Sequence, residues 1–236
     1  IKEAAMLREM GVRIVGQTPD VFEEEYDLVV KNPGIPSSKP FVKSLRARGI
    51  PVITEIELGF AVAKPQHYLA VTGTNGKTTT ATLLGEIVKA AYPGKTHVTG
   101  NIGVPLCRTI LDYDLMNEEG HYIVLEISNF QLVDIVQFHP QAAVILNLTP
   151  DHVDVMGSLE NYYESKTRVY RRMTPDEVFI RNTDDADVVE YTGTYPVPCK
   201  RLDMSLTDEK AFYHLQDGWM MAGDDKIMPL DEIKIV

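Results

Sequence analysis

The apolar positions of this chain fall into short runs, and the longest runs each end in small, polar or charged residues. His67–Val71, Tyr122–Ser128 and Ala142–Leu148 are mostly apolar along their length, which predicts strands covered on both faces, as in a parallel sheet. Between them lie helical periodicities. Lys77–Ala91 places Ala81, Leu84, Val88 and Ala91 on one face. A helix capped by Ser158 places Leu159, Tyr162, Tyr163, Val169, Tyr170 and Met173 on one face, and Lys166 falls on that same face. A lysine there either snorkels to solvent or points into a crevice. Lys95–Thr99 predicts a short strand ending in Gly100-Asn-Ile-Gly103, and after Asn129 and Gln131 a short helix runs through Val136 and ends before Pro140.

The ends of the chain are patterned differently. Lys2–Met10 predicts a helix stopped near Gly11, followed by strands at Val12–Val15, Tyr26–Val30 and Ile50–Ile53 and a helix at Lys39–Arg48. Asn32-Pro-Gly34 predicts a turn at the carboxyl end of the second of these strands. A helix at Glu55–Ala63, stopped by Pro65, leads into the apolar runs. Near the other end, Val178–Ile180 predicts a strand, and Asp217-Gly218 between Ala211–Leu215 and Trp219–Ala222 predicts a hairpin at the sheet edge. The fold class expected is α/β: a partial Rossmann-like N-terminal domain over residues 1–56, then a P-loop parallel-sheet domain over 57–236 with added antiparallel strands.

The chemistry gathers where the apolar runs stop. Thr72-Gly-Thr-Asn-Gly-Lys-Thr-Thr79 joins a strand to a helix. Gly73 and Gly76 permit a tight turn around Thr74 and Asn75, the helix N-terminus favours an anion, Lys77 adds positive charge and Thr78 offers a hydroxyl to a phosphate-bound magnesium ion. The general phosphate-loop pattern asks for glycine where Val71 stands, so the loop is a local variant. Glu126 lies inside the second buried run, where a carboxylate is costly unless paired or bound to a cation. The third run leads to Asn147, Thr149, Asp151, His152 and Asp154. Ligands of open parallel sheets bind outside the carboxyl ends of the strands, so these three tips are expected to form one site.

Composition narrows the reading little. The 236 residues are 44% hydrophobic and 24% charged, an ordinary globular balance, with room for one or two domains. A net charge of −11 argues against a nucleic-acid groove or an anionic membrane surface. Cys107 and Cys199 have neither metal-ligand nor redox spacing, and His67, His97, His121, His139 and His214 read as structural. No run is long enough to span a bilayer. A cytoplasmic monomer without nucleic-acid or membrane partners is expected.

Four motifs together resemble the Mur ligases, ATP-dependent amide ligases of the peptidoglycan peptide stem. They are the Thr72–Thr79 loop, Gly100-Asn-Ile-Gly103, Glu126-Ile-Ser-Asn-Phe-Gln-Leu132, and Asn147-Leu-Thr-Pro-Asp-His-Val-Asp154 followed by Gly157-Ser and Lys166. The Phe-Gln-Leu form, with Val29-Val-Lys-Asn-Pro-Gly-Ile-Pro36 and Pro51-Val-Ile-Thr-Glu-Ile-Glu57, is most similar to the branch joining D-glutamate to UDP-N-acetylmuramoyl-L-alanine. The branch adding the third stem residue shares the loop, the Asp-His pair and the lysine, but not that form. Asn129 departs from the serine more frequent in the family.

The resemblance implies roles. Gly73, Thr74, Asn75, Gly76, Lys77, Thr78 and Thr79 would bind ATP. Thr78, Glu126, His152 and a carbamylated Lys166 would hold magnesium. Lys77, His152 and Lys166 would be catalytic. Asn101 and His152 would meet the sugar-nucleotide substrate, and Asn32, Pro33 and Gly34 would lie near its uracil nucleotide. It also implies that the chain, which opens at Ile1 inside a helical pattern and ends at Lys234-Ile-Val236, is a piece of a three-domain enzyme. The start of the first domain, a His-Asn adenine-contacting motif just beyond Val236 and the third domain would be absent. Two other classes remain: a nucleotide-binding module without ligation, and a phosphoryl-transfer kinase.

Overall fold

The structure, a computed structural model, describes residues 2–233; Ile1 and Lys234–Val236, the two ends remarked above, lie outside the described residues. In chain order the early elements are helices α1 (Lys2–Glu9) and α2 (Pro19–Glu23), strand β1 (Val29–Val30), helix α3 (Pro40–Ala47) and strand β2 (Val52–Ile53). There follow α4 (Glu55–Val62), β3 (His67–Thr72), α5 (Lys77–Ala91), β4 (Thr96–Gly100), α6 (Leu106–Asp112), β5 (Tyr122–Glu126), α7 (Asn129–Leu132), β6 (Ala142–Ile145), α8 (Val153–Met156) and α9 (Leu159–Thr167). The remainder is β7 (Val178–Asn182), α10 (Ala186–Thr194), β8 (Lys200–Met204), β9 (Tyr213–Gln216), β10 (Trp219–Ala222), β11 (Asp225–Pro229) and a 3₁₀ turn at Leu230–Glu232. No helix among the described residues is long and apolar enough to cross a membrane.

The chain forms two compact units. One holds the residues up to Val29 together with Ser37–Val52; the other holds Val30–Pro36 and the residues from Ile53 onward. In the first unit Val42, Leu45, Ile50 and Val52 are buried, the Phe22 and Phe41 rings stack 4.2 Å apart, and Arg48 donates to the carbonyls of Phe22 and Glu24 at 2.8 and 2.6 Å. The expected strand at Val12–Val15 does not form. An alternating apolar stretch becomes a strand only beside another strand. Here Val12, Ile14 and Val15 are exposed, and Arg13 is paired with Glu24 instead. The strands expected at Tyr26–Val30 and Ile50–Ile53 shorten to two residues each.

The second unit is built on a nine-stranded sheet in the order β11-β10-β9-β8-β7-β6-β3-β5-β4. Strands β4, β5, β3, β6, β7 and β8 are parallel, and the β9–β10 hairpin turns at Asp217-Gly218 and continues antiparallel into β11. Alternation along the strands splits the core between the faces of the sheet. Tyr68, Ala70, Ile123, Leu125, Ala143 and Ile145 join a large cluster with Ile56, Leu106, Ile110, Phe138, Tyr162 and Tyr170. Val71 and Val124 face Ala81 of α5, with Leu69, Leu84, Val144 and Leu146 around them. Along α5, Ala81, Gly85 and Val88 are buried, while Ala91, expected on the same face, is exposed.

Two helices end earlier than their periodicity predicts, and side chains explain both. Helix α7 stops at Leu132 rather than Val136. The N–H groups of Val136, Gln137 and Phe138 donate to the buried Glu57 carboxylate at 3.0, 2.7 and 3.1 Å, so they are not available to a helix. Helix α9 stops at Thr167, where the Ser165 and Thr167 hydroxyls donate to the carbonyls of Tyr162 and Glu164 at 2.6 and 2.7 Å. Val169, Tyr170 and Met173 remain buried beyond it.

At the β4 edge, His97 Nε2 and His121 Nδ1 are 2.9 Å apart, both rings are buried, and Tyr113 packs 4.0 Å from His97. Burial, then the neighbouring His121, lowers the pKa of His97. Burial, then Lys95, lowers that of His121 against an opposing pull from Glu118. A base whose folded pKa is depressed stabilises the fold above its unfolded pKa, about 6.5, and that stability is lost as the pH falls through the folded value. Chemical-denaturation midpoints should therefore drop between pH 7.5 and pH 5. The drop should be smaller in His97→Gln, and an equal drop in both proteins would disprove the histidine pair as its source.

Candidate functional site

The parallel register brings three strand tips level. Val71 of β3 lies opposite Glu126 of β5, Gly100 of β4 lies opposite Glu126 on its other side, and Thr72 lies opposite Ile145 of β6. The loop after β3 is the first component. Gly73 has φ +144°, and a Cβ on it would lie 3.1 Å from the Leu146 Cβ, so the turn sits hard against the end of β6. Gly76 caps α5, whose first N–H groups have no carbonyl a turn earlier and so favour an anion. Lys77 Nζ lies over the loop, donating to the carbonyls of Gly73 and Thr74 at 3.1 and 2.8 Å.

The chain after β6 braces this loop. The Asn147 side chain accepts from the Asn75 N–H at 2.8 Å and donates to the Asn75 carbonyl at 3.1 Å. The Thr74 N–H donates to the Asn147 carbonyl at 3.0 Å, and the Thr149 N–H donates to Thr74 Oγ1 at 3.1 Å. Asn147, expected as a polar tip residue, here shapes the loop.

Glu126 forms the second component. It is 3% exposed and both carboxylate oxygens are used: Thr78 Oγ1 donates to Oε2 at 2.8 Å and Asn101 Nδ2 donates to Oε1 at 3.0 Å. The Asn101 N–H also donates to the Glu126 carbonyl at 2.8 Å. That approach needs glycine at position 100, where φ is +117° and a Cβ would lie 2.2 Å from the Glu126 carbonyl oxygen.

The third component is His152 with α9. His152 has φ +48°, a conformation uncommon outside glycine, and its N–H donates to Asp151 Oδ1 at 2.8 Å. Its ring lies 5.1 Å from that of Phe130 and 6.1 Å from that of Tyr162. Lys166 is 1% exposed, so it does not snorkel. Its Nζ donates to the Gly73 carbonyl at 2.9 Å and sits 4.7 Å over the Tyr162 ring. Burial, then repulsion from Lys77, lowers its pKa to about 7, against an opposing pull from Asp151.

One polar cleft is lined by Lys77, Asn101, Asp151, His152 and Lys166, with Ser128, Asn129, Phe130 and Tyr162 completing its wall. The expected residues thus divide into three groups. Lys77, Asn101, His152 and Lys166 meet in the cleft. Thr78 and Glu126 stand behind Asn101, and Thr79 follows Thr78 in the first turn of α5. Asn32, Pro33 and Gly34 are not among the lining residues; they form a turn closed by the Gly34 N–H on Asn32 Oδ1 at 2.8 Å. Sequence reasoning took Tyr162 for core only. Its spacing of four from Lys166 puts it one helical turn away on the same face, and that signal was available.

The donor set suits magnesium. The Thr78 hydroxyl and the Glu126 carboxylate are hard oxygen donors beside an anion-favouring loop, and magnesium takes much of its shell from phosphate and water. Among the described residues no three His, Cys, Asp or Glu side chains gather as a metal cluster, as a softer all-protein site would require.

The family model described as "Mur ligase middle domain" matches residues 71–219, which include the loop, Glu126, His152 and Lys166. The chain belongs to the Mur ligase family. Among its curated relatives is a UDP-N-acetylmuramoylalanine--D-glutamate ligase of Alkaliphilus oremlandii, 44% identical over 231 residues, covering 94% of this chain and 49% of the relative. Another of that name, from Ligilactobacillus salivarius, is 36% identical and covers 97% of this chain and 49% of the relative. This Mur ligase chain therefore spans about half the length of the curated relatives it matches. In fold it is similar to a murein peptide ligase from Psychrobacter arcticus, with TM-score 0.54 at 20% identity, covering 94% of this chain and 51% of that one. The UDP-N-acetylmuramate:L-alanyl-gamma-D-glutamyl-meso-diaminopimelate ligase from "Neisseria meningitides" gives TM-score 0.56 at 18% identity, covering 94% and 68%.

The Gly100 turn is a sharp test of this Mur ligase site. Gly100→Ala combines a left-handed backbone with a clash against main chain, and it should lower unfolding stability by at least about 2 kcal/mol. Urea denaturation measures it, and unchanged stability would show that the turn can relax away from Glu126.

Proposed function

We propose that this chain is the nucleotide-handling part of an ATP-dependent ligase that joins D-glutamate to UDP-N-acetylmuramoyl-L-alanine in peptidoglycan precursor synthesis. On this reading residues 1–56 belong to the domain that binds the UDP substrate, and residues 57–236 form the central ATP-binding domain. The observation that carries it is the convergence of Lys77, Asn101, His152 and Lys166 on one cleft, with Thr78 and Glu126 directly behind. The 44% identity to a relative named for this reaction supports the choice of amino acid.

The reaction sets an electrostatic problem that these residues answer. A substrate carboxylate must attack the terminal phosphate of ATP, displacing ADP to give an acyl phosphate, which the amine of D-glutamate then attacks, forming the amide, losing a proton and releasing phosphate. Two like charges 4 Å apart cost about 4 kcal/mol at an effective dielectric near 20. Lys77 and the amides of Gly73–Thr79 would hold the phosphates. Thr78 and Glu126 would hold magnesium, with His152 serving a second ion, and magnesium would supply charge neutralisation where the anions meet. Asn101 and His152 would contact the sugar-nucleotide substrate, and Asn32, Pro33 and Gly34 would lie near its uracil nucleotide. The relatives' extra length supports a requirement for a further domain that helps bind D-glutamate.

In the complete protein, ADP and phosphate release should depend on D-glutamate and fail with amino acids used by other Mur ligases. The 236-residue chain alone should show no D-glutamate-dependent phosphate release. Equal turnover with other amino acids, or full activity from this chain alone, would refute the respective claims.

Lys166 is proposed to react with carbon dioxide: the ammonium first loses a proton, the neutral amine forms an N–C bond and loses a second proton, and an anionic carbamate results near the second magnesium. Only the neutral amine reacts, and with a pKa lowered to about 7 its population grows as the pH rises through that value. With ¹³C-bicarbonate, a carbamate carbon signal should appear above pH 7, weaken at pH 6 and vanish in Lys166→Ala. A signal that persists in that variant would exclude Lys166 as its source.

A further inference from the structure

Outside the cleft, the second unit holds a fully enclosed ion pair that the proposed chemistry does not use. Lys31 and Asp134 are each 4% exposed, with Nζ and Oδ2 3.0 Å apart. Lys31 Nζ also donates to the Ile35 carbonyl at 2.7 Å and the Asn32 carbonyl at 3.4 Å. An ammonium has three hydrogens to satisfy, and these three acceptors match them. Two of the three lie at the ends of the Asn32–Ile35 turn, which the Ile35 N–H closes on the Asn32 carbonyl at 3.0 Å. One buried charge therefore fixes both ends of the Asn-Pro-Gly turn and ties them to Asp134.

Asp134 stands in a segment that is itself held firmly. The Val133 carbonyl accepts from Arg168 Nη1 at 2.6 Å, two residues beyond Lys166. Glu57 takes three N–H groups just after it, from Val136 to Phe138. Just before it, α7 is locked by reciprocal bonds between Ser128 and Gln131 and presents Ser128, Asn129 and Phe130 to the cleft. The turn and one wall of the cleft are thus fastened to one rigid stretch of chain.

A buried ion pair is a poor device for stability alone, because an apolar pair of similar volume does as well or better. What it supplies is direction: the ammonium and carboxylate fit in one register only. We propose that Lys31 and Asp134 are positioning residues, a latch that holds the Asn32–Pro33–Gly34 turn in register with the cleft, so that a sugar nucleotide gripped at the turn delivers its carboxylate to the cleft. The substrate part rests on the function proposed above.

The test is the apolar double variant Lys31→Met with Asp134→Leu, which removes both charges of the pair together. In the 236-residue chain, amide hydrogen exchange at Gly34 and Ile35 should quicken at least tenfold, while Thr74 and Asn75 of the phosphate loop keep wild-type rates. In the complete enzyme, KM for UDP-N-acetylmuramoyl-L-alanine should rise at least tenfold, with KM for ATP and for D-glutamate within twofold. Unchanged exchange at the turn overturns the latch whatever the enzyme does. Faster exchange with an unchanged sugar-nucleotide KM overturns the positioning role. Loss of nucleotide binding in the double variant makes the pair a folding element and overturns both. If the wild-type enzyme does not ligate D-glutamate, the functional reading fails, while the exchange result still decides the latch.

Discussion

Glu126 is a charge buried at the tip of a central strand, and the architecture of the site follows from what such a charge requires. A carboxylate out of reach of water is tolerable only when donors surround it. Here the donors come from two other segments, Thr78 at the start of α5 and Asn101 after β4. Neither would reach it unless β3, β4 and β5 were parallel and level, so that Val71, Glu126 and Gly100 lie side by side. The need to satisfy one carboxylate thus sets the closeness of the Gly100 turn and orients the first turn of the helix that carries Lys77. The arrangement that makes Glu126 affordable in the fold also suits the role proposed for it beside a phosphate-bound metal.

The positive charges obey the same constraint from the other side. Lys77 and Lys166 both donate to the Gly73 carbonyl, so two ammonium groups crowd one acceptor inside a cleft. Burial and the second ammonium both disfavour charge on Lys166, and Asp151 only partly offsets them. Lys77, half-buried at the start of α5, is suited to meeting a polyanion. The buried helix lysine is suited to losing its proton near neutrality, which is the state a nucleophilic amine needs.

What the sequence disclosed, and what it withheld, divides along one line. Elements and groups governed by neighbours in sequence were legible: the β3–loop–α5 unit, the Asp217-Gly218 hairpin, the Ser158 cap and the placement of Lys166 on a buried helix face. The end of α7 was not, because it depends on Glu57, some eighty positions away in sequence, drawing off the N–H groups that would have continued the helix. Val12–Val15 looked like a strand because alternation shows one side of a pairing and never the partner. Strands β8 and β11 were missed because they bury little, and helix α10 because it buries only Val188 and Thr192 among polar residues, too few to show a period. The cleft was legible as a convergence of strand tips, and the spacing of Tyr162 from Lys166 pointed to it as well, but the Phe130 wall was not, because an aromatic beside an apolar run gives no sign of whether it faces core or ligand.

The departure of the loop from the general phosphate-loop pattern has a physical counterpart in the strand beside it. The position that would be the first glycine is Val71, fully buried in β3 among Ala81 and Val124, so the strand runs on to Thr72 before the turn begins. The turn is then left with only Gly73 to Gly76, whose Gly73 and Thr74 carbonyls are bonded by Lys77. The end of β6 supplies further bracing: Asn147 clamps both the N–H and the carbonyl of Asn75, and Thr149 bonds Thr74. A longer loop carries its own scaffold, whereas this one borrows it from the strand that leads to His152. The Gly73–Gly76 turn and the stretch of chain that leads on to His152 are consequently parts of one hydrogen-bonded body.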